Sequence, residues 1–522
     1  APVGLDRARI GDAQVLAFRR VGKKVLAEYE NHRFRAENAP LAEQTAAREA
    51  FSVSTVWAGD VIETGGDGRV LVDLSSFLTR DGIGIADALK QAGETGYKQV
   101  ADLSLADVNA VKVFPENIEF EALQTFASET PGPEVRNIAP DPKLISFQIR
   151  HSLVKLPEPG FKAQAFDPRG GAFSTMVLDY AAPLGEEIVY RVANRFRLEK
   201  TDPTAARSPV KKPIVFYVDR AAPEPIRSAL VEGASWWSQA FEAAGFIDAF
   251  QVKVLPEGAD PLDVRYNVIN WVDRATRGWS YGQAVTDPRT GEIVKGSVLL
   301  GALRVRQDML IFEGLVGAHH NGTGGANDPV QVSLARLRQL SAHEVGHSIG
   351  LAHNFAASTQ DRASVMDYPA PRVLLTEGRI DLSDAYGVGL GDWDRFAIDW
   401  LYGEAGEAAQ RKLKASVDKG QRYVTDADSR PLGAGQPWGS LWDDGADPAA
   451  ELVRMMQVRR VALDQFGLGA LKPGEPVVNL KRKYVPIYLL HRYQLEAAAK
   501  LVGGVDFTYS VVGDGRETSP PV

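Results

Sequence analysis

Ser341-Ala342-His343-Glu344-Val345-Gly346-His347-Ser348-Ile349-Gly350-Leu351-Ala352-His353-Asn354 is the stretch on which the reading of this chain turns. His343 and His347 are four apart. On a helix their rings stack on one face and reach one metal ion. Neutral imidazole suits Zn²⁺. A third ligand has to arrive from another direction, which a straight helix cannot supply. Gly350 can take positive φ and end the helix in a sharp turn, so His353 can point back at the ion. Three protein ligands leave the fourth position open, the pattern of a catalytic zinc site. Glu344 lies roughly 100° around the helix from His343, too far to ligate the same ion easily and well placed to take a proton from an attacking water.

Downstream runs Ala363-Ser364-Val365-Met366-Asp367-Tyr368-Pro369. Met366 can form a soft apolar floor under the imidazoles, and Tyr368 can bring its phenol close to the metal. Against these stand plainer readings, Met366 as core filler and Tyr368 as a half-buried phenol. A His-Glu-x-x-His match alone often binds nothing. Here three of the eight histidines fall at ligand spacing, and chance occurrence of the five-residue pattern is on the order of 10⁻⁵. His319 and His320 sit in a Gly/Asn-rich loop, and His32, His151 and His491 are isolated, so all five read as structural or unengaged.

Upstream of the motif, Asp328-Pro329 is an N-cap and first-turn pair, predicting a helix to about Gly350. Ile214–Val218 is a continuous apolar run, read as a buried strand. Pro223 and Pro225 open a helix whose apolar face carries Ile226, Leu230, Trp237 and Phe241, and Gly245 stops it. Phe250–Leu255 and Val268–Val272 read as strands. Trp279–Val285 and Glu292–Leu300 flank Asp287-Pro288-Arg289-Thr290-Gly291 and predict a hairpin. Residues 1–205 read as β-rich, from runs such as Lys24–Tyr29, Phe51–Trp57, Ile118–Phe126 and Leu144–Arg150, with one helix at Ile85–Gln91. Past Gly403 the chain looks mainly helical. Asp447-Pro448 opens one helix there, and Ile487–Val502 is another. The expected class is α+β. A β-rich N-terminal domain (1–205) precedes a mixed-sheet and helix catalytic domain (206–403) and a helical C-terminal region (404–522).

The totals set outer bounds. The 522 residues are 44% hydrophobic and 24% charged with net charge -8, an ordinary globular balance that speaks against nucleic acid or an anionic membrane as main partner. There is no cysteine, which excludes disulfides, thiolate zinc sites and thiol-based latency. No apolar run of about 18 residues appears, so no span is expected. Ala1 without an initiator Met suits a secreted or periplasmic mature chain. Glu517 to Val522 ends on a proline pair, so the natural chain is expected to continue. No residue pattern sets the oligomeric state.

His343-Glu344-x-x-His347-x-x-Gly350-x-x-His353 followed by Met366 resembles the double signature of the metzincin clan of zinc metallopeptidases. Ser364-x-Met366-x-Tyr368 is similar to the astacin and serralysin form, which implies Tyr368 as a fifth, switching zinc ligand. Asp394–Gly403 resembles the helix closing a matrixin catalytic domain. Pro213–Phe250, Asp260–Asp308 and Gln339–Pro371 resemble a group of bacterial zinc-dependent metalloproteases with a long N-terminal domain. Asn354 departs from the clan's pattern, since matrixins have Asp there, astacins Glu and serralysins Pro. The resemblance further implies that an edge strand within Glu292–Leu300, carrying Gly296, Ser297, Val298, Leu299 and Leu300, binds a peptide as an added strand. It also implies that Tyr368–Pro371 walls the primed-side pocket.

The expected activity is peptide-bond hydrolysis, with one catalytic Zn²⁺, Glu344 as general base, Tyr368 assisting, and a peptide or protein as partner. Three alternatives stand beside it: a zinc module that does not cut, an amidase acting on cell-wall or other non-protein peptides, and a latent form whose first domain covers the cleft. The acidic turn Gly389–Asp394 could take Ca²⁺, though turns and helix caps account for it as well.

Overall fold

The computed structural model describes residues 5–431 and 433–514; Ala1 and Glu517 to Val522 lie outside the described residues. Helices and strands both contribute, as an α+β chain requires. The N-terminal region is built of small sheets. An antiparallel meander holds Leu16–Val21, Lys24–Tyr29, Ser54–Thr64 and Val70–Val72. A second sheet is built on the long pair Asn117–Ala127 and Leu144–Val154. Its longer remaining strand, Leu105–Val113, carries too little apolar alternation to be read from sequence, and most of its residues are exposed.

The central sheet runs, from one side, Phe250–Val254, Ile214–Val218, Asn267–Val272, Glu292–Gly301 and Tyr281–Thr286. The first four strands are parallel and the last is antiparallel. All six residues of Asn267–Val272 are buried, as expected of a strand covered on both faces. The helix expected after Pro225 is two, Ile226–Ser235 and Trp237–Ala243, meeting at Trp236. The helix Pro329–Ser348 crosses the sheet with Asp328 as its N-cap, the carboxylate accepting from Val330 N. The helix expected over Ile487–Val502 is likewise two, Leu480–Tyr488 and Arg492–Ala499.

One expectation is corrected here. Gly296, Ser297, Val298, Leu299 and Leu300 are not on an edge. Val268 to Val272 pair with Ser297 to Gly301 on one side, and Tyr281 to Val285 pair with Leu299 to Lys295 on the other. The hairpin loop folds the preceding strand back onto the outside. The edge is therefore Tyr281–Thr286, and the main chain of Gly296–Leu300 has no free side to offer a peptide.

The core does not respect the boundary at 205. Ala172, Ala193 and Phe196 belong to the same buried cluster as Val298, Val345, Met366 and Trp400. Arg195–Phe196 pairs with the start of Glu292–Gly301. Among the described residues, no helix is long and apolar enough to cross a membrane.

Candidate metal centre

The helix Pro329–Ser348 ends as its sequence demands. Gly350 has φ 106°. A Cβ there would stand 2.1 Å from the Asn194 carbonyl oxygen, so this turn needs glycine both for its φ and for space. Leu351 N closes the helix end onto Gly346 O at 3.0 Å. The turn brings His353 to within 4.4 Å of His347, centroid to centroid, and 5.2 Å of His343.

Each imidazole is fixed from behind. His343 Nδ1 lies 2.7 Å from Val365 O, and His347 Nδ1 lies 2.8 Å from Leu351 O. His353 Nδ1 lies 2.8 Å from Asp426 Oδ2. Those oxygens only accept, so each Nδ1 carries the proton and each Nε2 presents a lone pair. The Nε2 atoms of His347 and His353 are 3.1 Å apart, and His343 Nε2 is buried without a partner. Facing lone pairs repel unless a cation lies between them. Tetrahedral zinc with ordinary Zn–N bonds sets its nitrogens about 3.3 Å apart. The three donor atoms lie within 4.8 Å of one another, and among the described residues this is the one group of three or more such side chains able to hold a metal ion. Burial, with the neighbouring imidazoles, pushes His343 well below its ordinary pKa and His347 down to about 3. Both rings are therefore held neutral, the form that ligates. The residues fit the ion.

Residues 325–522 match a family model described as Met-zincin. The matched stretch holds His343, His347, His353 and Met366. Residues 8–201 match a second family, described as a domain of unknown function (DUF5117). No curated protein and no solved structure matches the chain.

Met366 is 1% exposed. Its sulfur sits 2.2 Å from where a Cβ on Gly346 would be, so the helix and this turn touch at a glycine. Asp394 braces the turn from below. It accepts from Ser364 Oγ at 2.6 Å, and from the main-chain nitrogens of Val365 and Gly391 at 2.9 Å each. The acidic turn Gly389–Asp394 is thus the capped start of helix Asp392–Tyr402, and its Asp394 carboxylate is already engaged.

Glu344 is 4% exposed. Burial pushes its carboxyl up to about 8, against the opposing pull of the Gly282 N–H and the Arg336 charge. A dication at the imidazoles favours the carboxylate form. Gly282 lies on the edge strand. A Cβ on it would meet Glu344 O at 1.9 Å, so the strand is pressed against the metal helix.

Tyr368 packs over the imidazoles, its ring 4.8 Å from His353 and 5.3 Å from His343. Its hydroxyl accepts from Arg430 Nη2 at 2.9 Å, and the Arg430 guanidinium lies 4.9 Å over its ring. Arg430 also pairs with Asp426, the carboxylate behind His353. Asp426 and Arg430 went unseen in the sequence. They lie over seventy residues past the motif, at the start of a four-residue helix and just after its end, with no spacing to mark them. Asn354, the departure from the clan's pattern, explains how they arrive. Its Nδ2 donates to Arg422 O at 2.9 Å and its Oδ1 accepts from Val424 N at 3.3 Å, which ties the extended segment leading to Asp426 against the ligand turn. An Asp or Glu could not make the first of these bonds.

Proposed function

We propose that the protein is a zinc-dependent endopeptidase. The observation that carries this is a buried carboxyl, Glu344, beside three converging Nε2 lone pairs and directly under an open sheet edge. The family match and the histidine triad support a zinc metallopeptidase in the coarser sense.

His343, His347 and His353 would hold the ion, which when bound supplies Lewis acidity toward the attacking water and the scissile carbonyl. Glu344 takes the proton of that water and later delivers it to the leaving amine. The Tyr368 oxygen already accepts from Arg430, so its own O–H is free to donate to the oxyanion that develops on the carbonyl. The substrate adds to Tyr281–Thr286 through main-chain bonds, a mode that gives affinity with little sequence preference. A groove of 330 Å³ runs against Gln283, Ala284 and Thr286, bounded across from them by Ile10–Ala13.

The test is Glu344→Ala. The variant is expected to keep about one zinc per chain, because three ligands remain, and to lose cleavage of unfolded protein. Retained cleavage, blocked by a chelator, would remove Glu344 from its role.

A further inference from the structure

Two turns before the ligands, the metal helix carries a cation. Arg336 is seven residues ahead of His343, almost in line with it on the helix and about 10 Å along the axis. It is 5% exposed, and its Nε has no hydrogen-bond partner. Its guanidinium reaches Gln339 Oε1 and lies 5.7 Å over the Tyr386 ring. Gln339 in turn donates to Val365 O at 3.1 Å, the same oxygen that fixes His343.

Two further guanidinium groups share this space. Arg304, on helix Leu303–Val316, pairs with Asp308 at 2.7 Å. Arg277 enters from the exposed loop before the edge strand, 5.9 Å over the Trp279 ring. Burial, then the Arg304 and Arg336 charges, hold Arg277 down to about 10. Burial and Arg304 also lower Arg336. The acids acting on the cluster are Asp308, already paired with Arg304, and Glu344. Above it, Trp279 and Trp442 stack at 5.9 Å, and Trp442 reaches Tyr368 at 5.4 Å. The cluster therefore adjoins the reacting groups.

Arg336 is buried with its Nε unpartnered, Arg304 is partly buried against Asp308, and Arg277 projects from the exposed loop; a buried guanidinium beside two others is costly to keep without a matching anion. Planar guanidinium forks match a carboxylate in shape and charge. We infer that Arg277, Arg304 and Arg336 form a subsite for a carboxylate of the substrate, one that makes the enzyme selective for anionic peptides. The inference rests on the endopeptidase reading. The carboxylate has two sources, an acidic side chain near the scissile bond or the chain's own C-terminus.

The experiment uses matched peptides carrying Glu or Gln at each position around one bond, each made with a free or an amidated C-terminus. The zinc-loaded full chain is expected to cleave the Glu or free-acid member at least about tenfold faster in kcat/KM, the scale of one charged hydrogen bond. A preference that follows Glu identifies the side-chain source, and one abolished by amidation identifies the terminus. Arg277→Gln, on the exposed loop, should shrink the ratio to about threefold or less, while Arg336→Lys, which keeps the charge, should preserve part of it. Equal rates for all the peptides would overturn the inference. Binding to Glu344→Ala protein, read by fluorescence anisotropy, separates the two claims. If nothing is cleaved but the Glu peptide still binds more tightly, the endopeptidase reading fails and the subsite stands.

Discussion

The helix period fixes where His343, Glu344 and His347 point, and the turn at Gly350 brings in His353. Asp426 stands behind that third ligand. Nothing local in the sequence connects it to His353. Burial works against its charge, yet the hydrogen bonds and charges of His353 and Arg430 hold its carboxyl well below the usual range. A carboxylate behind a ligating imidazole fixes the tautomer and raises ligand basicity. Asp426→Asn keeps the shape and removes the charge. It is expected to weaken zinc binding by roughly 10- to 100-fold, measured by competition with a chelating dye. Unchanged affinity would reduce Asp426 to a partner of Arg430 alone.

Elements were read well where their signals are local. Lys24–Tyr29, Ile85–Gln91 and Ile214–Val218 stand as the sequence placed them, and the caps at Asp328 and Asp447 hold. What failed was the question of which strand lies outside. Both arms of the hairpin were found, but edge position depends on pairing with Asn267–Val272, a non-local choice that periodicity does not carry. The helix end carries a prediction of its own. It buries imidazoles that must stay neutral, so in the metal-free protein the unfolded state binds more protons. Unfolded His347 titrates near 6.5 and folded His347 at about 3. Its stabilising contribution is complete above 6.5 and is lost as the pH falls toward 3, by about 5 kcal/mol for this residue. His343 shifts in the same direction. Urea unfolding of chelated protein at pH 7, 6, 5 and 4 should show this decline, and His347→Gln should flatten it. A flat profile in the unsubstituted protein would mean that the rings are hydrated without metal.

The whole molecule is where the three-part division looked plainest in the sequence and where the structure ties the parts together. Ala352 N donates to Gly171 O at 2.9 Å, and Phe173 N to Gly350 O at 2.8 Å, so the ligand turn is held by main chain from before residue 205. Phe173 packs 5.5 Å from the His347 ring. Asp6 reaches Arg274 and Tyr281 beside the edge strand, with both members of its ion pair 3% exposed. If the first 205 residues were a removable cover, deleting them would raise activity. These contacts argue the opposite. Deleting residues 1–205 strips the backing from Gly350, unpairs the start of Glu292–Gly301 and opens the core at Ala172, Ala193 and Phe196. Losing the Phe196 side chain alone costs about 3–5 kcal/mol, a large share of the whole stability of a domain. The truncated chain should show no cooperative unfolding by circular dichroism and bind no stoichiometric zinc. A cut at 160 keeps Ala172 to Phe196 in place and should still bind one zinc per chain. If the 205 cut instead gave a folded, faster enzyme, the N-terminal strands would be a lid after all.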